Sequence, residues 1–139
     1  MGYQPDIMLY HAHCADGFGA AWAAWMKWGD EVDYRPVSYG QEPPTDLAGK
    51  HVLIGDFSYK FDALCELGKQ VKSLIVLDHH KTAQDDLRNF SHTDVAGDFW
   101  AGGDPMKTVR FFDDHQGIPV VALFDMNRSG ERMVWEFCH

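Results

Sequence analysis

With 139 residues, 45% hydrophobic and 24% charged, the chain has the composition of one globular domain able to bury a core, and a disordered polypeptide is excluded. A formal charge of -9 speaks against a surface that tracks extended nucleic acid, which needs clustered Lys and Arg, so a phosphate ligand has to be met through metal ions. Cys14, Cys65 and Cys138 are too few and too widely spaced for a disulfide framework or a zinc ribbon, no apolar stretch has the length of a bilayer span, and Met1 to Asp6 lacks the features of a leader; reduced thiols, no membrane partner and a cytoplasmic location are the expectations.

The first apolar run, Ile7 to Tyr10, reads as a strand, and it stops on His11-Ala12-His13-Cys14-Ala15-Asp16-Gly17. Phe18, Ala21, Trp22 and Trp25 then recur at i, i+3, i+4 and i+7, the stripe of a helix that runs to about Trp28 and stops at Gly29, with the aromatic rings expected in the core. Asp16 precedes this helix as a candidate N-cap. Val32 to Val37 reads as an edge strand with Pro36 near its end, and Gly40 to Gly49 as a connecting loop.

His51 to Phe57 repeats the pattern of an apolar run closed by a polar group, here Gly55-Asp56. Phe61, Leu64, Cys65 and Gly68 mark a second helix, which leads into Leu74-Ile75-Val76-Leu77, a run expected to be buried on both faces, and then Asp78-His79-His80-Lys81-Thr82. Strand, helix, strand, strand, helix, strand implies parallel strands joined by right-handed crossovers, so the fold class is α/β, a parallel sheet flanked by helices in a single domain over 1–139. Lys81 to Asn89 reads as a short polar helix or turn, and 90 to 115 has no pattern that fixes an element. Val120 to Asp125 is a last strand, followed by a helix with Ser129 as N-cap, Glu131 in its first turn and Met133, Val134, Phe137 and Cys138 on its apolar stripe.

His11, His13, Asp16, Asp56, Asp78, His79 and His80 each follow the carboxyl end of an expected buried strand, so a parallel sheet gathers them at one edge, where open α/β sheets bind ligands. Carboxylates mixed with imidazoles suit a hydrolytic transition metal such as Mn²⁺, and two ions about 3.5 to 4 Å apart would share one bridging carboxylate, for which Asp56 is the candidate. Cys14 is either a small buried thiol or a ligand, and Arg128 either a solvated cation or a phosphate clamp beside a helix N-terminus. His51, His92, His115 and His139 read as ordinary polar residues. Neither a Gly-x-Ser-x-Gly elbow nor a Gly-x-x-x-x-Gly-Lys phosphate loop is present, and Asp16 stands one residue too far from His13 for a metallo-β-lactamase-like motif.

Asp78-His79-His80-Lys81-Thr82-Ala83 after Ile75-Val76-Leu77, together with His11-x-x-Cys14-x-Asp16-Gly17-Phe18-Gly19-Ala20-Ala21-Trp22 and Gly55-Asp56-Phe57-Ser58-Tyr59, resembles the N-terminal domain of DHH-family phosphoesterases over most of the chain. The resemblance implies hydrolysis of a phosphodiester or related phosphoryl bond in a small nucleotide, short oligonucleotide or polyphosphate, with two Mn²⁺ ions, Mg²⁺ being an alternative. It implies Asp16, Asp56 and His79 as metal ligands, His11 completing the first metal, and Asp78 and His80 as the catalytic pair that orients ligands or contacts phosphate. Asn127-Arg128-Ser129-Gly130 resembles the turn opening the next helix, which makes Arg128 and Ser129 substrate-binding candidates beside His80.

Two departures from the family pattern shape the expectations. Many members carry an acid where Cys14 stands, which leaves Cys14 or His13 to serve the first metal. The fourth acidic motif and the second, substrate-gripping domain do not occur up to His139, and Asp125 does not match that motif. The expectation is then a weak hydrolase, with a metal- or nucleotide-binding module or an assembly subunit as the alternative, and a homo-oligomer that buries the stripe of the last helix.

Overall fold

The computed structural model describes residues 4–83, 120–124 and 128–138. Five strands, β1 (Ile7–His11), β2 (Asp33–Val37), β3 (His51–Gly55), β4 (Ser73–Asp78) and β5 (Val120–Phe124), form one parallel sheet in the order β2-β1-β3-β4-β5. Helices α1 (Ala15–Trp28), α2 (Phe61–Gly68) and α3 (Gly130–Cys138) cover it. This is the α/β architecture read from the sequence, and Asp33–Val37 sits at the sheet edge as expected.

The period of two along the strands sorts the core into two faces. Met8, Leu53, Ile75 and Leu77 pack with Ala20, Ala23 and Ala24 of α1 and Met133, Val134, Phe137 and Cys138 of α3. Ile7, Leu9, Val52, Ile54, Leu74 and Val76 pack on the other side with Leu64 and Leu67 of α2. All six residues of β4 are buried, which is why its sequence is apolar without alternation. Among the described residues no helix is long and apolar enough to cross a membrane.

The expectation for the aromatic rings of α1 is overturned here, and the apolar stripe of α3 is placed otherwise than expected, for one reason. The buried face of α1 is its small one, Gly17, Gly19, Ala20, Ala23 and Ala24, whereas Phe18 is 69% exposed and Trp22, Trp25 and Met26 are also exposed. The small residues let α3 lie close against α1, so the aromatic stripe at the same period is turned outward, and Trp22 stacks on the exposed Trp135 of α3 with ring centroids 5.7 Å apart. The same contact buries Met133, Val134, Phe137 and Cys138, so the stripe that was expected to seek a second copy of the chain is already covered.

The strands are also in register at their carboxyl ends. Tyr10 pairs with Gly55 and Gly55 with Leu77, so the chain leaves β1, β3 and β4 at one level and delivers His11, Asp56 and Asp78 side by side. The expected turn at Lys81 begins as a 3₁₀ turn over Lys81–Ala83. The rest of that stretch to Asn89, the segment 90–115, and Asp125 and Asn127 lie outside the described residues.

The two faces of α1 differ in energy. Truncating Met133→Ala removes a fully buried side chain and is expected to cost about 2 to 5 kcal/mol, whereas Trp25→Ala, which loses an exposed ring and its Nε1 bond to Asp30, is expected to cost under about 1 kcal/mol. Urea unfolding midpoints at constant slope measure both; a larger cost at Trp25 would contradict this packing.

Candidate metal centre

In the strand order β2-β1-β3-β4-β5 the chain leaves β1 toward one side of the sheet and continues from β3 toward the other, which opens a crevice beyond the carboxyl ends of β1 and β3. The expected residues meet there. Asp56, first after β3, is fully buried and held in the left-handed region at φ 59°, a conformation uncommon for a residue other than Gly. Its N–H still donates to the Leu77 carbonyl at 2.9 Å, so the backbone is anchored to β4 while the side chain turns into the crevice.

The two oxygens of Asp56 face different partners. Oδ1 is 2.8 Å from His79 Nε2 and 3.9 Å from His80 Nε2. Oδ2 is 3.7 Å from Cys14 Sγ and 3.8 Å from His11 Nδ1. Two sets of donors therefore share one carboxylate: His11, Cys14 and Asp56 on one side, and Asp56, Asp78, His79 and His80 on the other, with the ligand atoms of each set within 4.8 Å of one another.

Asp16 joins the second side, its Oδ2 lying 3.1 Å from His79 Nε2. The expectation that Asp16 caps α1 is corrected: it lies in the first turn of that helix, whose N-cap is Cys14, and it caps α3 instead. Oδ2 accepts from the Gly130 N–H and Oδ1 from the Glu131 N–H, both at 2.8 Å, while Ser129 Oγ, the expected N-cap, accepts from the Arg132 N–H at 3.1 Å. Burial works against charge on Asp16, but the two N–H groups, with His79 nearby, outweigh it and hold the carboxyl below its ordinary range. Burial first, and the Asp16 charge second, push the Asp56 carboxyl up. Gly130 is the residue that permits this approach, because a Cβ there would overlap the Asp56 side chain.

Asp78 is a buried anchor. Its Oδ1 accepts from the His79 N–H at 2.8 Å and from His80 Nδ1 at 2.6 Å. An ionised carboxylate can only accept, so Nδ1 of His80 carries the hydrogen, and Nε2 is the atom turned toward Asp56. The rings of His79 and His80 are 4.4 Å apart, so both histidines enter the same crevice; His79 is the nearer to Asp56. His13, at φ 56°, is exposed and outside both donor sets, whereas Cys14 is inside one.

Arg128 and Ser129 were candidates for phosphate. Arg128 Nε donates to Glu136 Oε2 at 2.7 Å and Ser129 is engaged in capping, while the α3 N–H groups that would have met an anion are taken by Asp16. A residue that the sequence reading passed over is Tyr39, two residues beyond β2. Its ring, on a residue 52% exposed, meets His11 edge-on at 5.2 Å, and partial burial with the charges of Asp78 and Asp56 pushes its phenol up, so it remains a hydrogen-bond donor at neutral pH. The rule that found the other residues, a polar group just past a strand's carboxyl end, applies to Tyr39 as well.

The donor set fits divalent cations on its own chemistry. Asp56 and Asp16 are adjacent carboxylates, one of them fully buried, and among the described residues Nδ1 of His11 and Oδ2 of Asp78 are buried with no hydrogen-bond partner. A cation would relieve the repulsion between the acids and take up the His11 lone pair.

No family model matches this chain, and no solved structure matches it significantly. It is similar to an uncharacterized protein of Acanthamoeba polyphaga mimivirus, 36% identical over 99 aligned residues that take in 60% of this chain and 24% of that protein. The aligned part thus spans about a quarter of the length of that relative.

Asp56→Asn is expected to stabilise the metal-free protein at neutral pH, by about 1 kcal/mol, and to abolish the gain in melting temperature on adding Mn²⁺. The sign follows from the raised carboxyl of Asp56: stability from its protonated form is full below the unfolded-state value near 3.8 and is lost as pH rises through the higher folded-state value. The parent should therefore lose stability relative to the variant as pH rises through that window. An equal Mn²⁺ shift in the two proteins would remove Asp56 from the site.

Proposed function

We propose that the chain carries the metal-binding domain of a DHH-family phosphoesterase, acting on a phosphodiester or related phosphoryl bond in a small nucleotide, short oligonucleotide or polyphosphate. The observation that carries the reading is the division of Asp56, with Oδ1 toward His79 and Oδ2 toward His11 and Cys14, the arrangement of a carboxylate shared by two cations. Mn²⁺ is the first choice for the ions and Mg²⁺ the second, because the site mixes carboxylate with imidazole. When bound, such ions lower the pKa of water and neutralise charge that develops on phosphoryl oxygens.

The chain's own residues then divide the work. Asp56 would serve both ions, with His79 and Asp16 as the residues to hold one and His11 with Cys14 as those to hold the other. Asp78 keeps the hydrogen of His80 on Nδ1, so His80 presents Nε2 to the crevice, where it can accept or return a proton or contact phosphate. Tyr39 sets its ring edge-on against His11. The adjoining cleft, about 490 Å³ and lined by His11, His13, Cys14, Phe18, Ser38 and Gln41 among others, has the size for a small ligand rather than a duplex. Three free cysteines, one of them in the site, suit a reducing compartment, and we place the protein in the cytoplasm on that ground.

Hydrolysis of bis(p-nitrophenyl) phosphate and of a ribodinucleotide, with metal binding followed by calorimetry, tests the reading. His79→Ala is expected to lower both Mn²⁺ affinity and kcat/KM by roughly 100-fold or more, and His80→Ala to lower kcat by roughly 10²-fold or more while sparing metal affinity. Mn²⁺ binding without turnover of any diester or polyphosphate would overturn the hydrolase reading in favour of a binding module.

A further inference from the structure

We propose that the two cation positions of this chain are chemically unlike: the one formed by His11, Cys14 and Asp56 is selective for a thiophilic, four-coordinate cation of the Zn²⁺ class, beside a harder cation held by Asp16, Asp56 and His79. The inference rests on the reading of Asp56 as a shared carboxylate and adds the identity of the ion on one side of it.

Three observations lead there. The first is spacing. Around a tetrahedral ion with nitrogen and oxygen at about 2.1 Å and sulfur at about 2.3 Å, neighbouring donors stand about 3.4 to 3.6 Å apart, whereas octahedral coordination at about 2.1 Å brings them to about 3.0 Å. In the metal-free protein the Cys14 thiol donates a long hydrogen bond to Asp56 Oδ2 at 3.7 Å, and His11 Nδ1 lies 3.8 Å from the same oxygen, separations nearer the tetrahedral than the octahedral value. The second is the orphaned nitrogen: among the described residues His11 Nδ1 is buried with no hydrogen-bond partner, and Asp56 Oδ2, at 3.8 Å, stands beyond hydrogen-bond distance from it.

The third is the position of Cys14. It occupies the N-cap of α1 with extended backbone, φ -137° and ψ 131°, where Ser, Thr, Asp or Asn would accept from the helix N–H groups, and its side chain makes no such bond. A residue poor at the local task is held where its sulfur points at Asp56, the kind of local conflict that marks a functional position. Gly17 fixes the turn that does this, since a Cβ there would run into the His11 carbonyl.

Softness then sets selectivity. Thiolate favours Zn²⁺ over Mn²⁺, and the general order of affinity for nitrogen, oxygen and sulfur sites places Mn²⁺ lowest. Among the described residues the opposite side has no sulfur, its donors being the carboxylates of Asp16, Asp56 and Asp78 and imidazole, and it retains the preference for a harder ion. Seating the thiophilic cation requires Cys14 as thiolate, so one proton passes from Sγ to the buffer and no oxidation state changes.

Co²⁺ is the probe, because sulfur ligation gives it a near-ultraviolet charge-transfer band and four-coordination gives it intense visible bands. Titration of the chelator-stripped full chain is expected to develop both, saturating at one Co²⁺ per chain for the sulfur band. An equivalent of Zn²⁺ should abolish them, and a roughly 100-fold excess of Mn²⁺ should not. Cys14→Ser and Cys14→Asp should both lose the sulfur band, and Cys14→Asp should move the Zn²⁺ to Mn²⁺ affinity ratio toward Mn²⁺ by roughly 100-fold. The titration of the unaltered chain needs no variant to fold. A sulfur band that persists in Cys14→Ser would belong to Cys65 or Cys138 and would overturn the inference. Two cations bound through Asp56 with no sulfur band would overturn it too, while leaving the phosphoesterase reading standing. A sulfur band with no diester turnover would uphold this inference and sink the hydrolase, and no cation bound at all would sink both.

Discussion

The structure turns on keeping one fully buried carboxylate, Asp56, at the carboxyl edge of a parallel sheet. Buried without compensation, such a group would be among the more expensive features a small domain can carry. The surroundings are arranged to compensate it. His79 Nε2 lies 2.8 Å from Oδ1, and the backbone of Asp56 is tied to β4. Gly130 leaves room for the α3 terminus to pass beside it, and the unusual left-handed φ turns the side chain out of the sheet and into the crevice. The remaining conflict, a second carboxylate from Asp16, is met in the metal-free protein by a hydrogen bond between the two acids, and it is one that a divalent cation would also relieve.

Asp16 couples this centre to the rest of the domain. Its two oxygens take the N–H groups of Gly130 and Glu131, so the positive end of α3 is neutralised from within the chain. Oδ2 is at the same time close to His79. The helix terminus that would otherwise attract a phosphate thus serves to position the Asp16 carboxylate beside His79. Anything that moves α3 against α1 must also move Asp16 relative to His79.

Much of this was legible in the sequence, and the reason is physical. Buried parallel strands have to be apolar along their whole length, so a polar group directly after one can be seen to stand at the ligand edge; Asp56, Asp78, His79 and His80 were located that way, as was the cluster after Tyr10. That the strands run parallel and that helices connect them follows from the alternation of elements, whereas their order in the sheet does not. What was not legible depends on which neighbour an element has. The i, i+4 stripe of aromatic residues on α1 and its stripe of Gly and Ala have the same period, and periodicity does not say which one faces the core. Asp16 could be seen as a cap, but not as the cap of a helix 114 residues away in sequence. Tyr39 was missed because it follows an edge strand of charged and polar residues, where the boundary between strand and ligand loop is less sharp.

The small residues of α1 explain how these facts hang together. A helix faced with Phe or Trp would hold its neighbour at a distance set by large side chains, near the upper end of the 8 to 10 Å range of interaxial distances. Ala20, Ala23 and Ala24 let α3 come in close enough for the Gly130 N–H to reach Asp16 at 2.8 Å, and Gly130 itself lets the terminus continue past Asp56 without a clash. The aromatic rings displaced to the outside are the consequence of that close approach. Packing in the core and geometry at the centre are therefore one constraint: the spacing that buries Met133 and Val134 is also the spacing that places Asp16 beside Asp56 and His79.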